Sequence, residues 1–499
     1  MLRLERRLAW ALASAAALLY LSIPAAFYNF DGVACAIAVE LGDLRHLTHG
    51  NHLGYGLLGY LWFSIWRALG YKGPALHSLQ VLSSILGAAG VGAFVSLLLR
   101  CGFNKTSAVL GGLGLMVSEL YWRWSLEAQV YPLGAVFLFL AAAELFASDE
   151  RYKGKAVLAG LLHAGAVLGH IGHVMFVPAA LYLAPNSAYR RKYLFALASA
   201  IIAAYAMAGC LFIRPESWRE LKLWILGSAA LTVDRTWQWH GRGYSLDSFR
   251  AWIRVSLGLW KGGLWVGCCL WIAAAWGGWK ARRKHKRIVV ACILWLACYC
   301  ALYLSWEPYT PVYRITDLAP LWLLLLFCFA QEGAPIFHEG TASKTRFEIA
   351  GVISKYTARA ISLAAGILLL GGYNLCRTIL PVNRPENNLN LQRALLLARQ
   401  TPPDAWVVAE GIDEVYTPYF ARRKPLILRY YAGREELLTS RLSSLISKGR
   451  HVFVVPAALS PRWRNWFAPW ISDVPAEQDA SAAYQPRAAR LRLPLAPRR

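Results

Sequence analysis

Long apolar runs alternate along this chain with short basic clusters, the pattern of membrane-spanning helices joined by cytoplasmic loops. The N-terminal segment MLRLERRLAWALASAAALLYLSIPAAF and apolar stretches near 75–99, 106–121, 131–147, 156–170, 174–184, 193–213, 258–279, 288–305, 316–330 and 360–380 predict about eleven spans. The basic clusters are Arg3/Arg6/Arg7, Arg100/Lys105, Arg151/Lys153/Lys155, Arg190/Arg191/Lys192, the run KARRKHKR, and Lys344/Arg346/Lys355/Arg359. If all are cytoplasmic, an even number of spans separates each from the next.

That parity decides the segment LGYGLLGYLWFSIWRALG (53–70), which is only about 27 Å long as a helix. Counted as a span, it would carry Arg100 to the wrong side. We therefore read it as a helix lying in the outer interface, with Leu53, Leu57, Leu61, Ile65 and Leu69 recurring every four residues as one buried face. The N-terminus has the basic start and apolar centre of a secretory signal, with a small-residue site near Ala25. Because further spans follow, an uncleaved first helix with a cytoplasmic N-terminus is the better reading, and either reading places Asp31 outside.

After Pro381 the pattern changes. DAWVVAEG, KPLILRYY and RHVFVVP have strand-like composition and are separated by helical candidates near 389–399, 415–422 and 435–448. The expected organisation is a transmembrane domain over 1–384 with outer loops at 29–74 and 214–256, a small extracytoplasmic α/β domain over 385–479, and a disordered tail over 480–499.

Composition agrees: 499 residues, 57% hydrophobic and only 16% charged, are too apolar for a soluble protein of this size. The expectation is a multi-pass protein of the cytoplasmic (inner) membrane. The net charge of +25 lies in the loop clusters, so it points to topology and anionic membrane lipids, not to nucleic acid. The ten cysteines are scattered without a Cys-x-x-Cys pair, which indicates neither a disulfide framework nor a zinc site.

Chemistry at an outer membrane surface needs an acid to take a proton or to steady positive charge, and donors or cations for a phosphate. Asp31 follows the first span and opens a helix-like run. It is either the base or that helix's N-cap, two compatible roles. Glu127 lies among Trp122, Arg123, Trp124, Gln129 and Tyr131; it serves the substrate or pairs with Arg123 in an aromatic belt. Glu307 and Arg314 flank another turn, with the same two readings. His46, His49 and His52 are spaced to bring imidazoles together on a helix, which leaves a divalent metal open, although Gly50 disfavours a continuous helix and interfacial histidines are the plainer reading. His52 starts the interfacial helix, facing the level of a lipid phosphate. His170 and His173 lie at a span junction, where polar residues are functional candidates or simply hydrogen-bonded. In the second outer loop, Arg235 and Arg242 interleave with Trp237, Trp239 and Tyr244, which suits a headgroup and a sugar ring or a loop resting on lipid.

The order of a first span, an external Asp, an interfacial helix opened by His, SLEAQVYP, GHIGH and WEPYTPVYR resembles the GT-C superfamily of membrane glycosyltransferases, with most similarity to the protein O-mannosyltransferase-like and lipopolysaccharide sugar transferase-like branches. The resemblance implies transfer of a sugar from a polyprenyl-phosphate-linked donor to a glycan, lipid or protein acceptor. It implies Asp31 as catalytic base, His52 as the histidine of the interfacial segment, and Glu127 with Tyr131 as the E-x-x-x-Y pair. Many relatives have a second acid close behind the first, where this chain has Gly32 and Val33, and NHLGYG replaces the His-Pro-Pro common in part of the family. The rival readings are a transporter or flippase of lipid-linked glycans, disfavoured by spans nearly free of charge, and a non-catalytic scaffold or lipid-binding protein of the same fold.

Overall fold

The computed structural model describes residues 2–147, 155–225, 245–329, 346–471 and 489–492. Helices dominate up to residue 400. Among the described residues, five are long and apolar enough to cross a membrane: Ala75–Arg100, Ser187–Ile213, Lys286–Trp306, Pro311–Phe329 and Thr357–Asn383. The protein is thus multi-pass, but the expected count of about eleven is not reached. Lys105–Val117, Tyr131–Phe146, Ala156–Gly169 and Ile171–Leu183 are apolar yet too short to traverse a hydrocarbon core about 30 Å thick as single helices. Extended backbone at Ser118 and His170 ends two of them, a break that apolarity alone does not reveal.

The Ala75–Arg100 helix is the central post. It packs against the N-terminal helix Leu2–Ser22 and against Tyr131–Phe146. Its glycines make this possible: a Cβ at Gly87 would collide with Ser125, and one at Gly90 with the Tyr121 hydroxyl, which instead donates to the Gly87 carbonyl at 2.8 Å.

Residues 29–74 fold as three helices, Phe30–Leu41, Leu44–Leu47 and Leu53–Ala68. The third corrects the expected buried face. Leu53 is buried, but Leu61, Ile65 and Leu69 are 58%, 46% and 82% exposed, and the protein-facing side is Tyr55, Gly56, Gly59 and Phe63. A spacing of four residues advances about 40° per step on a 3.6-residue helix, so the leucines wind around it instead of sharing a face. Small residues take the inner side, where a Cβ on Gly56 would strike the Leu47 backbone.

The strand–helix alternation expected after residue 400 is present. β1 (Trp406–Ala409), β2 (Lys424–Ile427), β3 (Val452–Val454) and β4 (Ala489–Arg490) form a sheet of order β2-β1-β3-β4, parallel except for β4. β4 lies in the segment read as a disordered tail, and Leu491 bridges to Ile471. A two-residue strand draws its order from pairing with β3, which its own composition does not announce. The Asp413–Tyr419 helix of this unit packs on the Phe30–Leu41 helix. Tyr416 Oη donates to the Tyr28 carbonyl at 2.6 Å, Asn388 Nδ2 to the Ala26 carbonyl at 2.8 Å, and Tyr419 Oη to Glu40 Oε1 at 2.9 Å. The small unit therefore braces the loop that carries Asp31.

Candidate active site

Asn29, not Asp31, caps the Phe30–Leu41 helix. Its Oδ1 accepts from Gly32 N–H at 2.8 Å, and its Nδ2 donates to Glu127 Oε2 at 2.9 Å. Asp31 stands one position into the helix with no hydrogen bond or ion pair to any described residue. Its side chain is exposed, yet the surrounding protein withdraws enough water to raise its carboxyl above the usual range. Its charge acts on the phenols of Tyr131 and Tyr313 and on Cys35.

Gly32 brings this helix against the segment that carries Glu127. A Cβ there would collide with the Ala128 carbonyl, so only glycine allows the approach. Glu127 is buried, and burial raises its carboxyl against the opposing pull of Arg123, whose Nε lies 3.5 Å away, and of Asn29. Asn29 thus orients both the helix and Glu127. Replacing Asn29 with Ser keeps an oxygen for the cap but removes the donor to Glu127, whereas Ala removes both. We expect the Ser protein to lose stability through the Glu127 oxygen left without its donor and the Ala protein to lose about 1 kcal/mol more for the cap, read from thermal unfolding in detergent; Ser and Ala proteins that melt alike would remove the cap from the account.

Beside this pair lies a cluster of rings. His170 is buried with ring centroids 5.1 Å from His52, 5.2 Å from Tyr131, 5.6 Å from Tyr313 and 5.8 Å from His173. Asn51 accepts from Ile171 N–H through its carbonyl at 3.0 Å, which fastens the first loop to the GHIGH turn. The His52 ring bonds the Gly169 backbone, and its buried Nδ1 has no partner; burial holds it well below the usual histidine range, so it is neutral at pH 7. His170 Nδ1 accepts from Gly172 N–H at 3.1 Å, which places the ring proton on Nε2, a buried donor with no acceptor. An unpaired acceptor and an unpaired donor thus sit on neighbouring rings. His173 is turned to Tyr299 Oη, 2.8 Å from its Nδ1, and a Cβ at Gly134 would collide with its other nitrogen.

The other candidates divide. Glu307 is half-buried, acts on Tyr313, and its carboxylate has no partner among the described residues. Arg314 is 1% exposed and committed to the protein: Nε donates to Asp317 at 2.8 Å, and a terminal nitrogen to Ser256 Oγ at 2.5 Å and the Trp252 carbonyl at 3.2 Å. Arg235 and Arg242 lie outside the described residues. His49 stacks on His52 at 5.4 Å, while His46 is exposed and pairs with Asp43 at 2.6 Å. Among the described residues no three His, Cys, Asp or Glu side chains converge as metal ligands. Sequence reasoning missed Asn29 and Asn51. The signal for Asn29 was present, since Asn caps as well as Asp and stands two residues earlier.

No protein-family model matches the sequence, and no curated protein matches it. Solved structures do. ArnT from Cupriavidus metallidurans bound to undecaprenyl phosphate superposes with a TM-score of 0.64 over 97% of this chain and 97% of that chain, at 12% identity. Its apo state gives 0.63 over 96% and 97%, also at 12%. The archaeal oligosaccharyltransferase AglB from Archaeoglobus fulgidus, in complex with an inhibitory peptide and a dolichol-phosphate, gives 0.51 over 91% of this chain and 70% of that chain, at 11%. The chain therefore shares the fold of ArnT and of the archaeal oligosaccharyltransferase.

Proposed function

We propose that this protein is a membrane glycosyltransferase that moves a sugar from a polyprenyl-phosphate-linked donor to an acceptor hydroxyl or amine at the outer face of the cytoplasmic membrane. The observation that carries it is Asp31, a carboxylate relieved of capping by Asn29, without a hydrogen bond or ion pair among the described residues, and near enough to Tyr131 and Tyr313 for its charge to act on both phenols. The like-folded ArnT structure, which holds undecaprenyl phosphate, supports the donor type.

In the reaction, Asp31 takes the proton of the acceptor O–H or N–H as that atom bonds to the sugar's anomeric carbon. The bond from that carbon to the phosphate oxygen breaks, and polyprenyl phosphate leaves with the electron pair. The raised carboxyl is a stronger base than a free one. The His170 Nε2 donor and His52 Nδ1 acceptor suit one hydroxyl of the sugar, which accepts from the first and donates to the second. Glu127 and Asn29 hold the helix that presents Asp31.

The test is the purified chain in lipid vesicles with a polyprenyl-phosphate sugar and candidate acceptors. Release of polyprenyl phosphate coupled to a new glycosidic product supports the reading. Movement of intact lipid-linked sugar without cleavage would replace it with a flippase. Because the base must be ionised and its carboxyl is raised, kcat/KM should fall on the acid side at a pH above the ordinary aspartate value of about 3.9; a pH–rate profile reads this directly.

A further inference from the structure

The helix that presents Asp31 is held at both ends by one short helix of the α/β unit. Along Asp413–Tyr419, Tyr416 and Tyr419 stand three residues apart, as neighbours on one face, and this helix packs on Phe30–Leu41. At the front, Tyr416 Oη donates to the Tyr28 carbonyl and accepts from Asn388 Nδ2 at 3.2 Å. The Phe420 ring stacks on Tyr28 at 5.3 Å and meets the Tyr416 ring at 4.9 Å. At the back, Tyr419 Oη donates to Glu40 Oε1 and accepts from Leu76 N–H at 3.1 Å, and the same Glu40 oxygen accepts from Ala75 N–H at 2.9 Å. Ala75 and Leu76 open the central post, where the first amide donors of a helix lack partners within it. The back anchor thus ties the Asp31 helix and the α/β unit to the same fixed point.

The front anchor reaches the chemistry. Tyr28 precedes Asn29, which caps the helix and donates to Glu127, and the charge of Glu127 acts on the Tyr416 phenol. Asp31 makes no hydrogen bond or ion pair to a described residue, so its place is set by its helix alone. A shift of the Tyr28 carbonyl therefore carries the cap, the donor to Glu127 and Asp31 with it. The joint between the two domains is already made at Glu40, whereas Tyr416 bonds the turn immediately ahead of the cap.

We infer that Tyr416 is a positioning residue for the transfer step: its hydroxyl fixes the peptide ahead of Asn29, and with it Asp31, so that the α/β unit is part of the active site. This rests on the reading of Asp31 as the base.

The test compares Tyr416→Phe, Tyr419→Phe and Thr401→Val in nanodiscs. The Thr401 hydroxyl bonds within the α/β unit, to the Leu397 carbonyl at 2.7 Å and from Arg423 Nε at 2.9 Å, so its loss reports stability alone. Tyr416→Phe should lower kcat by about tenfold or more and leave KM for the lipid-linked sugar within about twofold. It should also move the acid limb of kcat/KM to lower pH, because a loosened helix readmits water to a carboxyl that its surroundings now hold up. Amide hydrogen exchange over 30–41 should quicken. Tyr419→Phe should cost less in kcat, since Glu40 lies nine residues, about 14 Å, along the helix from Asp31. Phe420→Leu removes the stack on Tyr28 without a hydrogen bond; it should give the Tyr416→Phe changes in weaker form and replaces that variant if it does not fold. Exchange that quickens no more in Tyr416→Phe than in Thr401→Val would overturn the proposal, as would a wild-type kcat and acid limb beside quickened exchange. Exchange needs no turnover: its quickening supports the anchoring of the helix by Tyr416 even if the wild type transfers no sugar, a result that would count against the transferase reading alone.

Discussion

Asp31→Asn should lower kcat for transfer from a polyprenyl-phosphate sugar by about 10²–10⁴-fold, the range that a positioned general base contributes. The reason is local. Asn29 makes the cap bond to Gly32 N–H, so Asp31 neither starts the helix nor pairs with another described residue. Asparagine matches its shape and removes only the proton acceptor. Melting temperature and expression should therefore hold at the wild-type level, because Asp31 makes no hydrogen bond or ion pair to a described residue that the substitution would remove. The contrasting variant is Glu127→Gln. Glu127 accepts from Asn29 and lies 3.5 Å from Arg123 Nε, so its loss should cost stability as well as rate. Undiminished turnover of Asp31→Asn in the purified vesicle assay would remove Asp31 from the mechanism, and a parallel loss of folded protein would return it to a structural role.

Much of this arrangement is legible in the sequence because it depends on order along the chain. The strand–helix alternation after residue 400 needs only local composition, and it appears as read. Asp31, His52, Tyr131 and His170 stand out as polar or aromatic residues where apolar runs end, and the fold brings His52, Tyr131 and His170 within ring contact. What escapes is set by close approach in three dimensions. Gly32 looks like a missing second acid, yet it is the residue that lets the Asp31 helix meet Ala128. The leucines of the 53–68 helix look like a buried stripe, yet glycine and aromatic residues take the inner side because they allow shorter contacts. Apolarity likewise cannot separate a span from a short helix that ends at a turn, so the described residues hold fewer long spans than the apolar runs suggest. Arg314 illustrates the same limit. Its neighbours in sequence suggest an exposed turn, but its partners Ser256 and Trp252 come from a distant helix.

Arg314→Met should destabilise the protein by about 3–5 kcal/mol, because it strands Asp317, a carboxylate that is 1% exposed and whose Oδ1 already lacks a partner. Ser256 Oγ and the Trp252 carbonyl lose a donor at the same time. Replacing both ions, as Arg314→Met with Asp317→Leu, should recover most of that loss, since a buried pair contributes little beyond the cost of desolvating it. The recovered protein then separates two roles for Arg314. If the guanidinium only fixes the turn that sets Tyr313 against Tyr131 and His170, the double variant regains transfer along with its melting temperature. If Arg314 holds the donor phosphate, the double variant folds and stays inactive, with its loss carried by KM for the lipid-linked sugar. The geometry favours the first outcome: two of the guanidinium's nitrogens are occupied by Asp317, Ser256 and the Trp252 carbonyl, and its face lies 4.7 Å from the Trp252 ring centroid, which leaves the unpaired donor on His170 as the better contact for substrate.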